Sequence, residues 1–243
     1  MKFEVRPLSD VLGAEIIGFD LGAAMNDEDF SELHRAHLEH LVIVFRDQSL
    51  SPSQQSLFAR RFGPLIEYSL TQAAVPGHPC VTMISTRREK GEFIGVADAG
   101  PQWHSDHCYR ERPALGTMLF AIEVPDDGGD TSFANLRAAY DALPSDLGRA
   151  VEGRKGIFMN SRAQGGKPNA EQRQAMQQHP LVRTHPETGR KSLFVSQQQT
   201  VAIEGLPEDE GEEILERLFA HCFQEEFVYV HRWVQGDLTF WDN

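Results

Sequence analysis

The run FVYVHRWVQGDLTFWDN spans Phe227 to Asn243. Val, Tyr, Phe, Trp and Thr crowd it, and these side chains fit a pleated, half-buried surface. FVYVHRWV (227–234) and DLTFW (237–241) therefore read as two short strands. Upstream, CVTMIS (80–85), GTMLFAIEV (116–124), TSFAN (131–135) and SLFVS (192–196) have the same character. Nearer the start, residues 3–6 and 14–19 read as strands. LVIVF (41–45) is short, continuous and β-branched, as a strand covered on both faces would be.

Helical signals interrupt these strands. Asn26 precedes Asp27, Glu28 and Asp29, and Phe30, Leu33, His37 and Leu38 follow at helical spacing. Ser51-Pro52 with Gln54 has the form of a capping box with proline at the first helical position, predicting a helix over 52–61. Residues 136–153 predict one or two short helices broken at Pro144. EDEGEEILERLFAHC (208–222) is an acidic amphipathic helix with Ile214, Leu215, Leu218, Phe219 and Cys222 on one side. The polar, Gln-rich stretch 162–180 reads as a loop or a frayed helix. Many short strands with helical insertions predict a β-sandwich or barrel core buttressed by helices. No linker divides the 243 residues, so one domain over 1–243 is expected.

Composition narrows the function. The net charge is −13, with 40% hydrophobic and 24% charged residues. An acid excess of this size argues against nucleic acid and anionic membrane as partners, because both select a basic face. Cys80, Cys108 and Cys222 are too few and too scattered for a disulfide framework, and the sequence carries no membrane-spanning apolar run. A cytoplasmic protein with a small-molecule substrate is the expectation.

Chemistry concentrates in Gln102-Trp103-His104-Ser105-Asp106-His107-Cys108-Tyr109. On a strand or its edge, residues i and i+2 share a face, so His104 and Asp106 could meet one ion. Two such ligands and a distant histidine make the facial triad of non-haem Fe(II) oxygenases, which leaves positions open for substrate and O₂. The plainer alternative is a histidine paired with a neighbouring aspartate in a polar loop. His107 would point the other way if the segment is extended.

Further elements follow in order: Gly128-Gly129-Asp130-Thr131, then Val182-Arg183-Thr184-His185-Pro186 with Thr188-Gly189-Arg190, and Gly236-Asp237 before Trp241-Asp242-Asn243. Together with W-H-x-D they make the chain resemble the TauD/TfdA family of Fe(II)- and 2-oxoglutarate-dependent dioxygenases over almost its whole length. The resemblance implies a double-stranded β-helix (jelly roll) core buttressed by α-helices. It implies that His104 and Asp106 bind Fe(II), and that Thr131 helps hold the distal carboxylate of the cosubstrate 2-oxoglutarate. The implied reaction uses O₂, converts 2-oxoglutarate to succinate and CO₂, and hydroxylates a small, anionic organic substrate. It also leaves a homo-oligomer as an expectation.

Departures from the family pattern matter equally. The family's third metal ligand is a histidine shortly after W-D-N, and arginines that pair with 2-oxoglutarate lie further on. None of them occurs in these 243 residues. Either the chain is a fragment of a longer enzyme or a truncation has left an inactive, non-enzymatic remnant of the fold. A lone His/Asp pair is expected to hold Fe(II) weakly. His231 is read as structural and His185 as a hairpin residue. Tyr68 stands where the taurine-type enzymes carry a substrate histidine, and Gly100 where they carry an asparagine, which disfavours taurine itself. Tyr68, His107, Tyr109 and Gln199 are the candidate substrate residues. A hydrolytic zinc site using His104 and Asp106 lacks zinc spacing and leaves the other motifs unexplained.

Overall fold

The computed structural model describes residues 3–67, 73–97, 99–100, 102–160, 168–174 and 176–243. The chain opens with strands β1 (Glu4–Pro7) and β2 (Ala14–Ile17), helix α1 (Asp27–His40), strand β3 (Val42–Phe45) and helix α2 (Pro52–Arg60). Four short strands follow: β4 (Ala74–Val75), β5 (His78–Thr82), β6 (Arg88–Glu89) and β7 (Glu92–Phe93). Then come β8 (Gly116–Phe120), β9 (Thr131–Ala134), α3 (Leu136–Asp141), α4 (Ser145–Val151) and β10 (Lys155–Phe158). The remainder comprises α5 (Ala170–Gln174), β11 (Gln177–Pro180), β12 (Val182–Thr184), β13 (Lys191–Leu193), β14 (Thr200–Ile203), α6 (Glu208–Cys222), β15 (Val228–His231) and β16 (Leu238–Asp242).

The result is a mixed structure of strands and helices. The largest sheet has the order β1-β2-β3-β16-β8, antiparallel except for the parallel pair β2–β3. A three-stranded sheet has the order β11-β10-β14, and β12–β13, β15–β9, β4–β5 and β6–β7 form two-stranded pairs. No described helix is long and apolar enough to cross a membrane.

The run at 41–45 explains the centre. All four residues of β3 are buried. Alternation along a strand sends successive side chains to opposite faces. Ile43 and Phe45 accordingly join one apolar cluster with Leu33, Phe58, Leu238 and Phe240, beneath α1 and α2. Val42 and Val44 enter a second cluster with Leu12, Phe133, Tyr229 and Trp241. Burial on both faces is why polar alternation is missing from this stretch.

The capping box predicted for α2 is present: Gln54 N–H donates to Ser51 Oγ at 3.3 Å and Ser51 N–H to Gln54 Oε1 at 3.0 Å. The amphipathic helix at 208–222 also forms as read. Ile214, Leu215, Leu218 and Cys222 lie in a third cluster with Leu147, Leu181 and Leu193. Pro144 separates α3 from α4 as expected.

Three readings are corrected. The strand at 192–196 leaves its ladder after Leu193, although Phe194–Ser196 stay buried in irregular backbone. The strand at 80–85 stops at Thr82, and Ile84 makes only an isolated bridge to Val96. Within 162–180, residues 170–174 form the short helix α5, in keeping with the helical alternative, but residues 177–180 pair with β10 as strand β11; 161–167 lie outside the described residues. Tertiary pairing overrides weak local propensity there: Gln177-Gln178-His179-Pro180 has little strand character until β10 supplies its partners.

Candidate active site around His104 and Asp106

Residues 103–109 are not a strand. Trp103–Ser105 are irregular and Asp106–Tyr109 form a turn, with His107 at φ 56°. His104 and Asp106 nevertheless converge, because hydrogen bonds from elsewhere fix both. His104 Nδ1 lies 2.9 Å from the Gln102 carbonyl oxygen. A carbonyl only accepts, so Nδ1 carries the proton and Nε2 of the neutral ring presents its lone pair. Nε2 sits 3.7 Å from Asp106 Oδ1, beyond hydrogen-bond distance. Both side chains are about one-third exposed.

Gly100 fits against the same ring. It has φ +76°, and a Cβ there would lie 2.6 Å from His104 Cε1. Only glycine meets both constraints, since a left-handed backbone is costly for other residues and a methyl would displace the imidazole.

The aspartate is held from the other side. Thr117, on β8, donates its hydroxyl to Asp106 Oδ2 at 2.7 Å. Asn243 Oδ1 accepts the Asp106 N–H at 3.0 Å, and Asn243 Nδ2 donates to Thr117 Oγ1 at 2.8 Å. Neither Thr117 nor these contacts of Asn243 stood out in the sequence. W-D-N marked the region, but nothing in GTMLF distinguishes a threonine aimed at a carboxylate 11 residues away from one facing water.

The other candidates are spread over the surroundings. His107 Nδ1 is 3.2 Å from the Tyr109 hydroxyl. Burial, reinforced by the charge of Arg110, lowers the His107 pKa and favours the neutral ring. Gln199 is buried and accepts the Cys108 S–H, so its side chain is bound to the turn that follows Asp106. Tyr68 lies outside the described residues.

Thr131 opens β9, opposite His231 of β15, and its Oγ1 accepts from Trp233 Nε1 at 2.9 Å. Its strand connects to the W-D-N segment through Phe133, whose ring centroid lies 5.3 Å from that of Trp241. The structure thus gathers His104, Asp106, His107, Tyr109 and Gln199 around one turn and puts Thr131 on a neighbouring strand pair.

His231 and His185 take the structural places read for them. His231 is fully buried, with Nε2 3.1 Å from Asp237 Oδ2 and Nδ1 3.0 Å from the Tyr229 hydroxyl. Arg46 and the Val234 N–H also donate to Asp237 Oδ2. Burial alone would raise the Asp237 pKa, but these donors outweigh it and lower it. His185 sits at the β12–β13 hairpin and pairs with Asp242 at 3.5 Å.

Among the described residues, no group of three or more His, Cys, Asp or Glu side chains is placed to hold a metal ion. The donor chemistry of His104 Nε2 and Asp106 Oδ1 fits two positions of a divalent ion: one neutral imidazole and one carboxylate oxygen, neither spent on the other.

Known proteins resemble the chain over its whole length. The family model described as taurine catabolism dioxygenase TauD, TfdA family matches residues 4–243. The alpha-ketoglutarate-dependent 2,4-dichlorophenoxyacetate dioxygenase of Cupriavidus pinatubonensis is 38% identical over 260 residues, covering 100% of this chain and 90% of that protein. The crystal structure of a taurine dioxygenase from Burkholderia xenovorans superposes with a TM-score of 0.83 at 31% identity, covering 100% of this chain and 80% of that one. The structure of AAD-2 in complex with Mn(II) and N-oxalylglycine gives a TM-score of 0.77 at 31% identity, covering 100% and 88% respectively. On sequence motifs, a whole-chain family match and backbone superposition alike, the chain belongs to the TauD/TfdA family of alpha-ketoglutarate-dependent dioxygenases.

Proposed function

We propose that this chain is the body of an Fe(II)- and 2-oxoglutarate-dependent dioxygenase that hydroxylates a small, anionic organic molecule. The carrying observation is the uncommitted pair His104 Nε2 and Asp106 Oδ1, 3.7 Å apart and each fixed by bonds made at its other end. These two side chains would hold the metal, and Thr131 would hold a carboxylate of the cosubstrate. Bound there, Fe(II) with 2-oxoglutarate and O₂ supplies the oxidising power for C–H hydroxylation, releasing succinate and CO₂. The protein's part is to order these ligands and exclude water.

Relatives and neighbours support the classes involved. The 2,4-dichlorophenoxyacetate enzyme acts on a carboxylate, taurine is a sulfonate, and the AAD-2 complex pairs a divalent metal with an oxalyl group. His107, Tyr109, Gln199 and Tyr68 are the proposed substrate-side residues. We read the whole chain as one domain with a double-stranded β-helix core, located in the cytoplasm. The three free cysteines accord with a reducing compartment.

A second reading has its own observation. Only two metal donors stand together among the described residues, which favours a binding protein on this fold without turnover. Succinate release measured with Fe(II), 2-oxoglutarate and a panel of aryloxyacetates and alkylsulfonates separates the two. Release that disappears in His104→Ala supports the oxygenase. Metal uptake without succinate supports the binding protein. Release unchanged in both His104→Ala and Asp106→Ala would refute the site.

A further inference from the structure

We propose that Thr117 and Asn243 are positioning residues that make Asp106 meet a divalent metal through a single oxygen. The inference rests on the reading of His104 and Asp106 as the metal pair and adds how that pair is set.

Three hydrogen bonds close a ring, and each has only one possible direction. An ionised carboxylate can only accept, so the 2.7 Å contact spends the Thr117 hydroxyl proton on Asp106 Oδ2. Thr117 Oγ1 must then accept from Asn243, which places the Asn243 amide nitrogen 2.8 Å away. The other end of that amide, its carbonyl oxygen, accepts the Asp106 N–H at 3.0 Å. Turning the Asn243 amide over would set N–H against N–H and leave the threonine without a donor, so the ring permits one orientation of all three side chains.

The backbone beneath the ring is equally constrained. Asn243 N–H donates to the Leu115 carbonyl at 3.0 Å, and Trp241 is in register with Thr117 across β16 and β8. Gly116 makes that approach possible, since a Cβ there would lie 2.6 Å from both the Trp241 carbonyl oxygen and Phe240 Cε2. Thr117 is therefore delivered to the carboxylate by the sheet itself.

The chemical consequence follows from which oxygen is taken. Oδ2 is committed to the hydroxyl, while Oδ1 faces His104 Nε2. A chelating carboxylate would have to turn both oxygens to the ion and break the Thr117 bond. The ring resists this and so keeps one more coordination position free. Outer residues of this kind commonly set ligand orientation and metal affinity.

The test titrates the 243-residue chain and its Thr117→Val, Thr117→Ser and Thr239→Val variants with Co(II), reading ligand-field absorption, with thermal melts alongside. Thr239 is a matched control, because its buried hydroxyl has no hydrogen-bond partner among the described residues. Thr117→Val is expected to weaken Co(II) binding roughly 10- to 100-fold and to change the absorption pattern. Thr117→Ser restores both, and Thr239→Val matches the parent chain. A metal-free crystal structure of Thr117→Val should show the Asp106 carboxylate rotated. Equal Co(II) affinity in Thr117→Val, or an unrotated carboxylate, overturns the proposal. If the parent chain takes up no Co(II), the metal-pair reading is what fails, and the metal-free structure alone decides whether Thr117 orients the carboxylate.

Discussion

Two histidine–aspartate pairs in this molecule have opposite designs. His231 and Asp237 are buried and lie within hydrogen-bond distance of each other, and Tyr229, Arg46 and the Val234 N–H occupy further capacity. His104 and Asp106 are partly open, too far apart to bond, and each is tied at its far end to a third group. In the buried pair His231 Nε2 and Asp237 Oδ2 are spent on each other, so they present no open nitrogen and oxygen to a common space. A pair held apart by outside partners presents a nitrogen and an oxygen to the same space. The difference lies in where the remaining hydrogen bonds go, not in the residue types.

That contrast can be broken in several ways. The largest expected effect is on metal uptake. His104→Ala or Asp106→Ala should abolish Co(II) or Mn(II) binding, measured by calorimetry, while Tm shifts by only a few degrees. A large loss of stability in Asp106→Ala would mean that the open pair is a structural pair as well.

Asp237→Ala should do the reverse in stability. It strands a buried histidine and the Arg46 charge, at a cost of about 3–5 kcal/mol. Chemical denaturation reads this directly, and a midpoint matching the parent chain would remove the contrast.

Acid sharpens the comparison on its buried side. His37 is almost fully buried and stacks on Phe240 at 4.0 Å, and burial pushes its pKa down to about 4. The unfolded chain takes up this proton near the ordinary 6.5, so the folded state binds fewer protons between 6.5 and 4. Stability is therefore full above 6.5 and falls as pH drops through that window, by about 3 kcal/mol for this one group. His37→Phe should flatten that part of the curve. His185 has the opposite sign: its bond to Asp242 raises its pKa. Its contribution is present below 6.5 and is lost as pH rises through the raised value. A curve unchanged in His37→Phe would show that the acid loss comes from elsewhere.

Gly100→Ala is the smallest and most local probe. The left-handed backbone costs a non-glycine residue roughly 1–2 kcal/mol. The added methyl also presses on His104 Cε1, so metal affinity should fall more than stability does. The ratio of the two effects, from calorimetry and denaturation on the same variant, tests whether Gly100 serves the ring or only the turn.

Much of the architecture was legible beforehand, for identifiable reasons. The α2 box, the α6 stripe and the doubly buried β3 are written in local residue order, because capping and periodicity act over a few residues. Strands β10, β11 and β14 carry no local strand signal. KGIF and TVAI are short, and QQHP is polar, so their strand character exists only once the three pair. The turn at Asp106–Tyr109 escaped for the same reason: a histidine at φ 56° has no local sequence signature.

The sequence by itself determined which residues are the candidates for the chemistry. W-H-x-D, G-G-D-T and W-D-N point to His104, Asp106, Thr131 and the terminal segment from residue order alone. Only the tertiary structure decided what those residues can do. Whether a histidine nitrogen and a carboxylate oxygen are free depends on partners distant in the chain: Asn243 lies 137 residues from Asp106, and Thr117 approaches through a glycine in a sheet. Hydrogen bonds act through space, and their directions are fixed only when the donors and acceptors have been brought together.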